Sequence, residues 1–307
     1  MAKKIPSIVK NPALLAMPPV IIAGNSEYVL KNTVKHKGQS IGVKLGHVFH
    51  SLPFGIIDKT YTGIGGTSLE LDAYRNSVVV EPFVFTAYTK SQKPSLQNNY
   101  EIHFYGKNPF SKKVVPNKGG GLNTLVGNTW FTTNSDQDLL DYINRCKKTK
   151  APIKITCVTD QLHSLKKSLT EYSKKAFDKF HLVLDEIDCL QEHSGFRKVM
   201  ETCVDIYKQH PPKNRTLISA TIKHFHDETL KHEPLTKILY EFPVNPILNI
   251  VRPKSIREEV YAQVMAVLSK PEKIVVALNN INQCVKLAKT IIKHNPALTK
   301  DVKVLCS

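Results

Sequence analysis

The fold class of this chain is decided by the stretch Leu182-Val183-Leu184-Asp185-Glu186-Ile187-Asp188. Its apolar first part is typical of a buried strand, and the acidic residues follow that strand directly. A second stretch has the same pattern of apolar residues followed by polar ones. It is Thr216-Leu217-Ile218-Ser219-Ala220-Thr221. Carboxylates at the end of a buried strand are suited to hold a metal ion and an attacking water. The two stretches therefore predict an α/β sheet with polar chemistry at the strand ends.

Length, composition and charge bound the possible functions. The 307 residues suggest roughly two domains. Hydrophobic residues make up 41% of the chain, which suffices for a packed core. The formal net charge is +17, from 43 Lys and Arg against 26 Asp and Glu. This excess favours a polyanionic partner, with nucleic acid as the first candidate, although a basic surface also serves solubility alone.

Cysteine usage and hydropathy indicate the compartment. The six cysteines form no C-x-x-C pair and no disulfide framework, so we expect a reducing cytoplasm. Pro18-Pro19 interrupts the apolar stretch 13–23, which otherwise faintly resembles a signal peptide. No apolar run is long enough to span a membrane, and we expect no membrane partner.

Composition also suggests how the chain is divided. Residues 1–35 are rich in proline and are interpreted as an irregular N-terminal arm. A first α/β lobe then covers 36–245, with a polar insertion at about 91–137. After a linker, residues 255–307 have the pattern of the beginning of a second α/β lobe. So short a unit can hardly bury its own core, which suggests a truncated chain or a lobe completed elsewhere.

Hydrophobic periodicity predicts the elements of both lobes. In the first lobe we expect strands at 54–58, 77–81, 154–158, 182–184, 216–218 and 239–242. We expect helices there at 39–49, 68–74, 136–146, 162–180 and 195–209. In the second lobe we expect helices at 256–268 and 281–294 and strands at 273–278 and 302–306. The continuous β-branched run at 77–81 is typical of a parallel strand that is covered on both faces.

A glycine-rich loop lies between the first predicted strand and the next helix. It is Lys59-Thr60-Tyr61-Thr62-Gly63-Ile64-Gly65-Gly66-Thr67. Small residues in this position allow backbone N–H groups to wrap around a phosphate. An ordinary glycine turn is the alternative, and the acidic stretch downstream favours the phosphate loop.

Taken together, these motifs resemble those of superfamily 2 helicases, which are DExD-box P-loop NTPases. The overall pattern resembles that of divergent helicase-like proteins of bacteriophages and mobile elements, over roughly residues 39–307. This resemblance implies a parallel-sheet RecA-like lobe followed by an incomplete second α/β lobe. The family's loop is usually Thr-Gly-x-Gly-Lys-Thr, which Thr62, Gly63, Gly65 and Thr67 match. Gly66 stands where the lysine belongs.

The resemblance also implies roles for the site residues. Asp185 and Thr67 would hold Mg²⁺ for ATP or another nucleoside triphosphate, and Glu186 would orient or deprotonate the attacking water. Asp188 would link neighbouring motifs. Ser219 and Thr221 would couple the nucleotide state to contacts between lobes. A solvated acidic turn and simple strand-end capping are the alternatives for these two motifs.

The missing loop lysine predicts badly impaired hydrolysis unless another cation replaces it. Lys59 is the nearest candidate and could fold back over the phosphates, although strand-end lysines usually point to solvent. Arg75 is further away. Gln39, upstream of the loop, takes the place of the adenine-reading glutamine in this resemblance.

Contacts with nucleic acid are implied in two further segments. Glu81 and Pro82 correspond to the helicase motif that ends in proline, and Thr159 and Gln161 correspond to the next one. Lys154 could add a phosphate contact. The expected partners are DNA or RNA and the replication or transcription machinery, in the cytoplasm of a bacterial host if the gene belongs to a phage.

Two functions of different class remain open from the sequence. The first is a nucleic-acid-dependent NTP hydrolase, which the retained acidic residues favour. The second is a catalytically weak or inactive nucleic-acid-binding module, which Gly66 and the absence of an arginine-finger segment favour.

Overall fold

The computed structural model describes most of the chain in two compact units, Met1–Pro243 and Val244–Ser307. The described residues are 11–22, 24–36, 39–92, 94–95, 98–106, 113–116, 122–125, 136–189, 198–222, 227–242, 256–267, 276 and 281–297. The first unit contains the sheet that both motifs were expected to border.

The elements follow one another along the chain as strands and short helices. The strands are β1 (Val20–Ile22), β2 (Asn25–Leu30), β3 (Thr33–His36), β4 (Gln39–Gly42), β5 (Gly55–Asp58), β6 (Ser77–Glu81), β7 (Ile102–Tyr105), β8 (Lys113–Pro116), β9 (Leu122–Leu125), β10 (Lys154–Val158), β11 (His181–Asp185), β12 (Arg215–Ser219) and β13 (Leu235–Tyr240). The α-helices are α1 (Leu45–Val48), α2 (Gly66–Asp72), α3 (Val84–Ser91), α4 (Asp136–Thr149), α5 (Thr159–Tyr172), α6 (Lys198–Gln209), α7 (Ile256–Val267) and α8 (Ile281–His294). Single 3-10 turns occur at Pro12–Leu14, Phe177–Lys179, Pro212–Asn214 and Leu230–His232.

Within the described residues, nine strands form one sheet in the order β1-β2-β13-β5-β12-β11-β6-β10-β7. All neighbouring strands in it are parallel except β1 and β2, which are antiparallel. Two hairpins, β3–β4 and β8–β9, form small separate sheets. The chain is therefore an α/β protein with a large, mostly parallel sheet, as the sequence predicted.

Strand register places the polar strand ends at one edge of this sheet. Ser219 at the end of β12 is level with Asp58 of β5, and Ile218 is level with Asp185 of β11. Leu184 is level with Val80, so the next residues, Asp185 and Glu81, end neighbouring strands together. Parallel pairing thus brings β5, β12, β11 and β6 to a common carboxyl edge.

Alternate residues of the central strands pack into two cores on opposite faces of the sheet. Val78, Val80 and Leu184 face a core formed with α4, α5 and α6. Val79 and Val183 face a second core, formed with α1 and α2. Because both faces are covered, all five residues of β6, β10 and β11 are buried. This burial explains the continuous apolar centres of β6 and β11, Val78–Val80 and Leu182–Leu184.

Two regions differ from the sequence-based expectation. Residues 1–35 were expected to form an irregular arm. This is wrong for most of the second half of the segment, because β2 pairs in parallel with β13 inside the main sheet. The helix predicted at 39–49 is only one turn, α1, because the preceding residues form β4 and pair with β3. In both cases pairing with a distant or neighbouring strand overrides the local pattern.

The predicted polar insertion contains more sheet than expected. Its hairpin β8–β9 agrees with the predicted short β element. However, β7 lies within the predicted insertion and pairs in parallel with β10 at the edge of the main sheet. Helix α3, which precedes the insertion, was not predicted at all.

The second unit is described mainly by its two helices, α7 and α8. Both agree closely with the helices predicted at 256–268 and 281–294. The strands predicted at 273–278 and 302–306 fall outside the described residues, apart from residue 276. Of the helices in the described part of the chain, none is long and apolar enough to cross a membrane.

Candidate functional site

The glycine-rich loop leaves β5 and enters α2 by backbone conformations that favour glycine. Gly63 has φ of 71° and Gly65 has φ of 88°, both in the left-handed region where a side chain is strained. Gly65 is the residue that caps α2. The loop's glycines at these two positions are therefore explained by its turns.

The loop and the acidic stretch meet at the carboxyl edge of the sheet. The hydroxyl of Thr67, at the start of α2, donates a short hydrogen bond to Oδ2 of Asp185 at the end of β11. Both residues are buried, with 8% and 4% of their surface exposed. The predicted convergence of the glycine loop with the Asp185 carboxylate is thus confirmed.

Lys59 lies inside this site and does not point to solvent. Its Nζ is 2.8 Å from Oε1 of Glu186 and 3.4 Å from Oδ1 of Asp185, and its side chain is 7% exposed. Burial alone would lower the pKa of Lys59, but Asp185 and Glu186 outweigh it, so that this pKa is raised. The ammonium is therefore a fixed positive charge between the two carboxylates.

Lys90 is a second cation at the site and was missed by the sequence analysis. Its Nζ lies 2.9 Å from Oγ1 of Thr67 and 3.5 Å from Oδ2 of Asp185. It also forms a close ion pair with Glu81. Helix α3 carries Lys90 back over the end of β6. The signal for that helix was the spacing of Val84, Ala87 and Tyr88, which pack together on Phe104 and Val158.

Glu81 adds a third carboxylate to the edge. It is 1% exposed, and burial together with the neighbouring charge of Asp185 raises its pKa to about 7, despite the opposing effect of Lys90. The sequence placed Glu81 and Pro82 at a nucleic-acid contact. Both residues are buried, and the Glu81 side chain faces the site. Glu81 is therefore not exposed for a contact with nucleic acid.

The other residues expected at nucleic acid differ in exposure. Thr159, at the start of α5, is 1% exposed, whereas Gln161 is partly exposed. Lys154 is fully buried, and its Nζ donates to the Glu70 carbonyl at 2.7 Å and to Ser77 Oγ at 2.9 Å. The prediction that Lys154 contacts phosphates is therefore wrong, because its ammonium belongs to the interior.

A second hydrogen-bond network connects the acidic stretch to the end of β12. The Ser219 hydroxyl is 2.5 Å from Oδ1 of Asp188 and 3.3 Å from Oε2 of Glu186, and Thr221 Oγ1 is 2.5 Å from Oδ2 of Asp188. Burial would raise the pKa of Asp188, but the hydrogen bonds from Ser219 and Thr221 outweigh it, and the pKa is lowered. The expected link of Asp188 to a neighbouring motif is present as these bonds.

Glu186 has an unusual backbone. Its φ is 53°, which is uncommon for a residue with a side chain. Its N–H is 3.0 Å from Oδ1 of Asp185, and its side chain is 33% exposed. The strained turn directs this carboxylate toward Lys59 and Ser219 and leaves part of it open to solvent.

Position 66 lies in a tight contact between α2 and β12. An ideal Cβ on Gly66 would lie 2.5 Å from Cδ1 of Ile218, a fully buried residue of β12. The close approach of α2 to β12 thus favours glycine here, because any larger residue must displace the Ile218 side chain.

A pocket of about 320 Å³ opens beside the loop. Its lining includes Gly65 and Ser68 of the loop and α2, together with His47, Tyr74 and Tyr100. Gln39, expected to read a base, is exposed on the β3–β4 hairpin and is not among the lining residues. Its predicted role has no support from this pocket.

No protein-family model matches this chain, and no curated protein shows significant similarity to it. The functional assignment therefore depends on the residues and their geometry.

Proposed function

We propose that the first unit is a RecA-like P-loop NTPase lobe of the superfamily 2 helicase type, which binds ATP and DNA or RNA. The observation that carries this proposal is the hydrogen bond between Thr67 and Asp185, with Glu186 and Ser219 beside it. It lies at the carboxyl edge of a parallel sheet, where open α/β sheets bind their ligands.

The donor set suits Mg²⁺. This ion prefers hard oxygen ligands and is usually held by one or two protein groups together with phosphates and water. The Thr67 hydroxyl and the Asp185 carboxylate offer such oxygens side by side. Across the residues described, no group of three His, Cys, Asp or Glu is arranged to hold a metal ion. When bound, Mg²⁺ would neutralise charge on the phosphates.

The remaining steps belong to residues of the chain. Glu186, partly open to solvent, would accept a hydrogen bond from the attacking water and take its proton. Ser219 contacts both Glu186 and Asp188, so a change at the nucleotide could be transmitted to the end of β12. The net charge of +17 supports a polyanionic partner.

A second candidate function is a nucleic-acid-binding module with little hydrolysis. It is favoured by the ion pair between Lys59 and Glu186, which occupies the carboxylate that should orient water. It is also favoured by Gly66, because no loop lysine stabilises the transferred phosphate.

The test measures ATP binding by calorimetry and phosphate release with and without DNA or RNA. We expect micromolar to millimolar ATP binding and release that nucleic acid stimulates and that Glu186→Gln abolishes. Glu171→Gln is the matched control, since Glu171 is an exposed residue of α5 outside the site. Equal background rates in both variants and wild type would leave the binding module, and no ATP binding would refute the nucleotide site.

A further inference from the structure

The cation that a phosphate loop needs is absent from position 66, which is glycine. A lysine there would begin 2.5 Å from Cδ1 of Ile218, inside the packed contact between α2 and β12. An ammonium for the bound phosphates must therefore come from outside the loop helix. Among the described residues, two lysines have their ammonium groups at Asp185, namely Lys59 and Lys90.

The two lysines differ in what they contact. Lys59 bridges Asp185 and Glu186 and is almost completely buried, so moving it would leave two carboxylates without their shared cation. Lys90 contacts the hydroxyl of Thr67, the residue that directly follows Gly66. Its side chain is 27% exposed, against 7% for Lys59, so its ammonium is the more accessible of the two to a ligand from solvent.

We propose that Lys90 of α3 supplies the phosphate-binding ammonium that the glycine loop lacks. The proposal rests on the proposed nucleotide function and assigns the cation for the terminal phosphates to a helix outside the loop. Thr67 marks the position of those phosphates, and the Lys90 ammonium is already 2.9 Å from its hydroxyl. A short rotation of the lysine from Glu81 toward the ligand would exchange one anionic partner for another.

Glu81 holds Lys90 in the unliganded arrangement. This carboxylate is buried and pairs with Lys90, so it competes with a phosphate for the same ammonium. Removing the charge of Glu81 while keeping its shape should therefore release Lys90 and strengthen ATP binding. If the ion pair between Lys90 and Glu81 is purely structural, Lys90 contributes nothing to ATP binding, and the same change leaves ATP affinity independent of Lys90.

The experiment measures ATP, ADP and AMP affinity by calorimetry with Mg²⁺ on the full chain. The variants are Lys90→Met, Lys90→Arg, Glu81→Gln and the double variant Glu81→Gln/Lys90→Met. Lys208→Met is the matched control, because Lys208 is similarly exposed (33%) and ion-paired with Asp227 at 2.8 Å, away from the site. Thermal unfolding of each variant verifies the fold, and the double variant removes the unpaired buried carboxylate that could destabilise Lys90→Met.

We expect Lys90→Met to weaken ATP binding by about tenfold to a hundredfold, with little effect on AMP. Lys90→Arg should retain part of the affinity, and Glu81→Gln should increase it only when Lys90 is present. ATP binding equal to wild type in the folded double variant would overturn the proposal. If wild type binds ATP and Thr67→Ala weakens that binding while Lys90→Met does not, only this inference fails; absence of ATP binding in wild type overturns the proposed function as well.

Discussion

The Lys59 ammonium lies 2.8 Å from Oε1 of Glu186, so the carboxylate expected to act on water is ion-paired in this structure. The same ammonium is 3.4 Å from Asp185. Either this lysine turns toward a bound triphosphate, or it stays and restrains Glu186. In both cases its removal changes the charge balance of the site.

Lys59→Met should reduce ATP affinity by about tenfold, since Asp185 and Glu186 then keep negative charge that no lysine neutralises beside the bound phosphates. It should also lower the free energy of unfolding by about 1 to 3 kcal/mol, because Asp185 and Glu186 lose their shared partner. Calorimetry with ATP and urea denaturation measure the two effects.

Lys59→Arg is the matched control for that variant, because it keeps the charge and changes only the geometry. It should retain most of the stability. A folded Lys59→Met protein with unchanged ATP affinity would contradict a role for this lysine at the phosphates and would leave it as a structural ion pair.

Gly66→Lys should destabilise the protein and should not by itself increase the rate of hydrolysis. The new Cβ meets Cδ1 of Ile218, and such overpacking costs about 1 to 3 kcal/mol. Ile218→Val removes that Cδ1 atom and should itself cost about 1 kcal/mol. The double variant should be more stable than the sum of the single changes predicts, which urea denaturation of all four proteins measures.

Gly66→Ala, combined with Ile218→Val in a second double-mutant cycle, separates the effect of packing from the effect of charge. It should show the same positive coupling with Ile218→Val, since it also adds the clashing Cβ. Additive effects in both cycles would mean that the new Cβ is accommodated without a clash with Ile218. Phosphate release by Gly66→Lys/Ile218→Val then tests whether a loop lysine, once accommodated, increases the rate.

The central strands could be predicted because they are buried on both faces. The continuous run at 77–81 coincides with β6, as expected of a parallel strand that is covered on both faces, and the strand predicted at 154–158 coincides with β10. β2 could not be predicted this way. Its pairing with β13 joins residues about 210 positions apart, as in the hydrogen bond between Ser26 and Thr236, and no local pattern records that.

The candidate site was predictable where a motif coincides with a strand end. Thr67 and Asp185 were expected to share a metal site, and their side chains do meet. Lys90 could not be found in the same way, because its helix was not predicted and its partners Thr67 and Glu81 lie on other elements. The space available for a side chain at position 66 is limited by Ile218. This limit follows from the packing of α2 on β12 and has no local signal in the sequence.

Ser219→Ala and Thr221→Val should affect function differently. Ser219 contacts both Glu186 and Asp188, whereas the Thr221 side chain contacts Asp188. We expect Ser219→Ala to abolish stimulation of phosphate release by nucleic acid and to cost about 1 kcal/mol of stability. Thr221→Val should cost a similar amount of stability but keep more of the stimulation. Equal loss of stimulation in both variants would locate the coupling at Asp188 alone.

Lys154 allows a test of how a buried charge affects stability, at a position away from the candidate site. Its ammonium is fully buried, and desolvation lowers its pKa to about 8 from 10.5, although Glu70 opposes the shift. Between these two values the unfolded chain binds a proton that the folded chain does not. Stability contributed by this group should therefore rise as the pH increases from about 8 to 10.5.

The measurement compares wild type with Lys154→Met by urea denaturation from about pH 7 to pH 10.5. Wild type should gain on the order of 3 kcal/mol relative to the variant across that interval, because the full shift is recovered once the lysine is neutral in both states. Lys167→Met, at an exposed lysine of α5, should follow the wild-type pH dependence. Parallel curves for wild type and Lys154→Met would mean that Lys154 keeps its proton in the folded protein, stabilised by its hydrogen bonds to the Glu70 carbonyl and to Ser77.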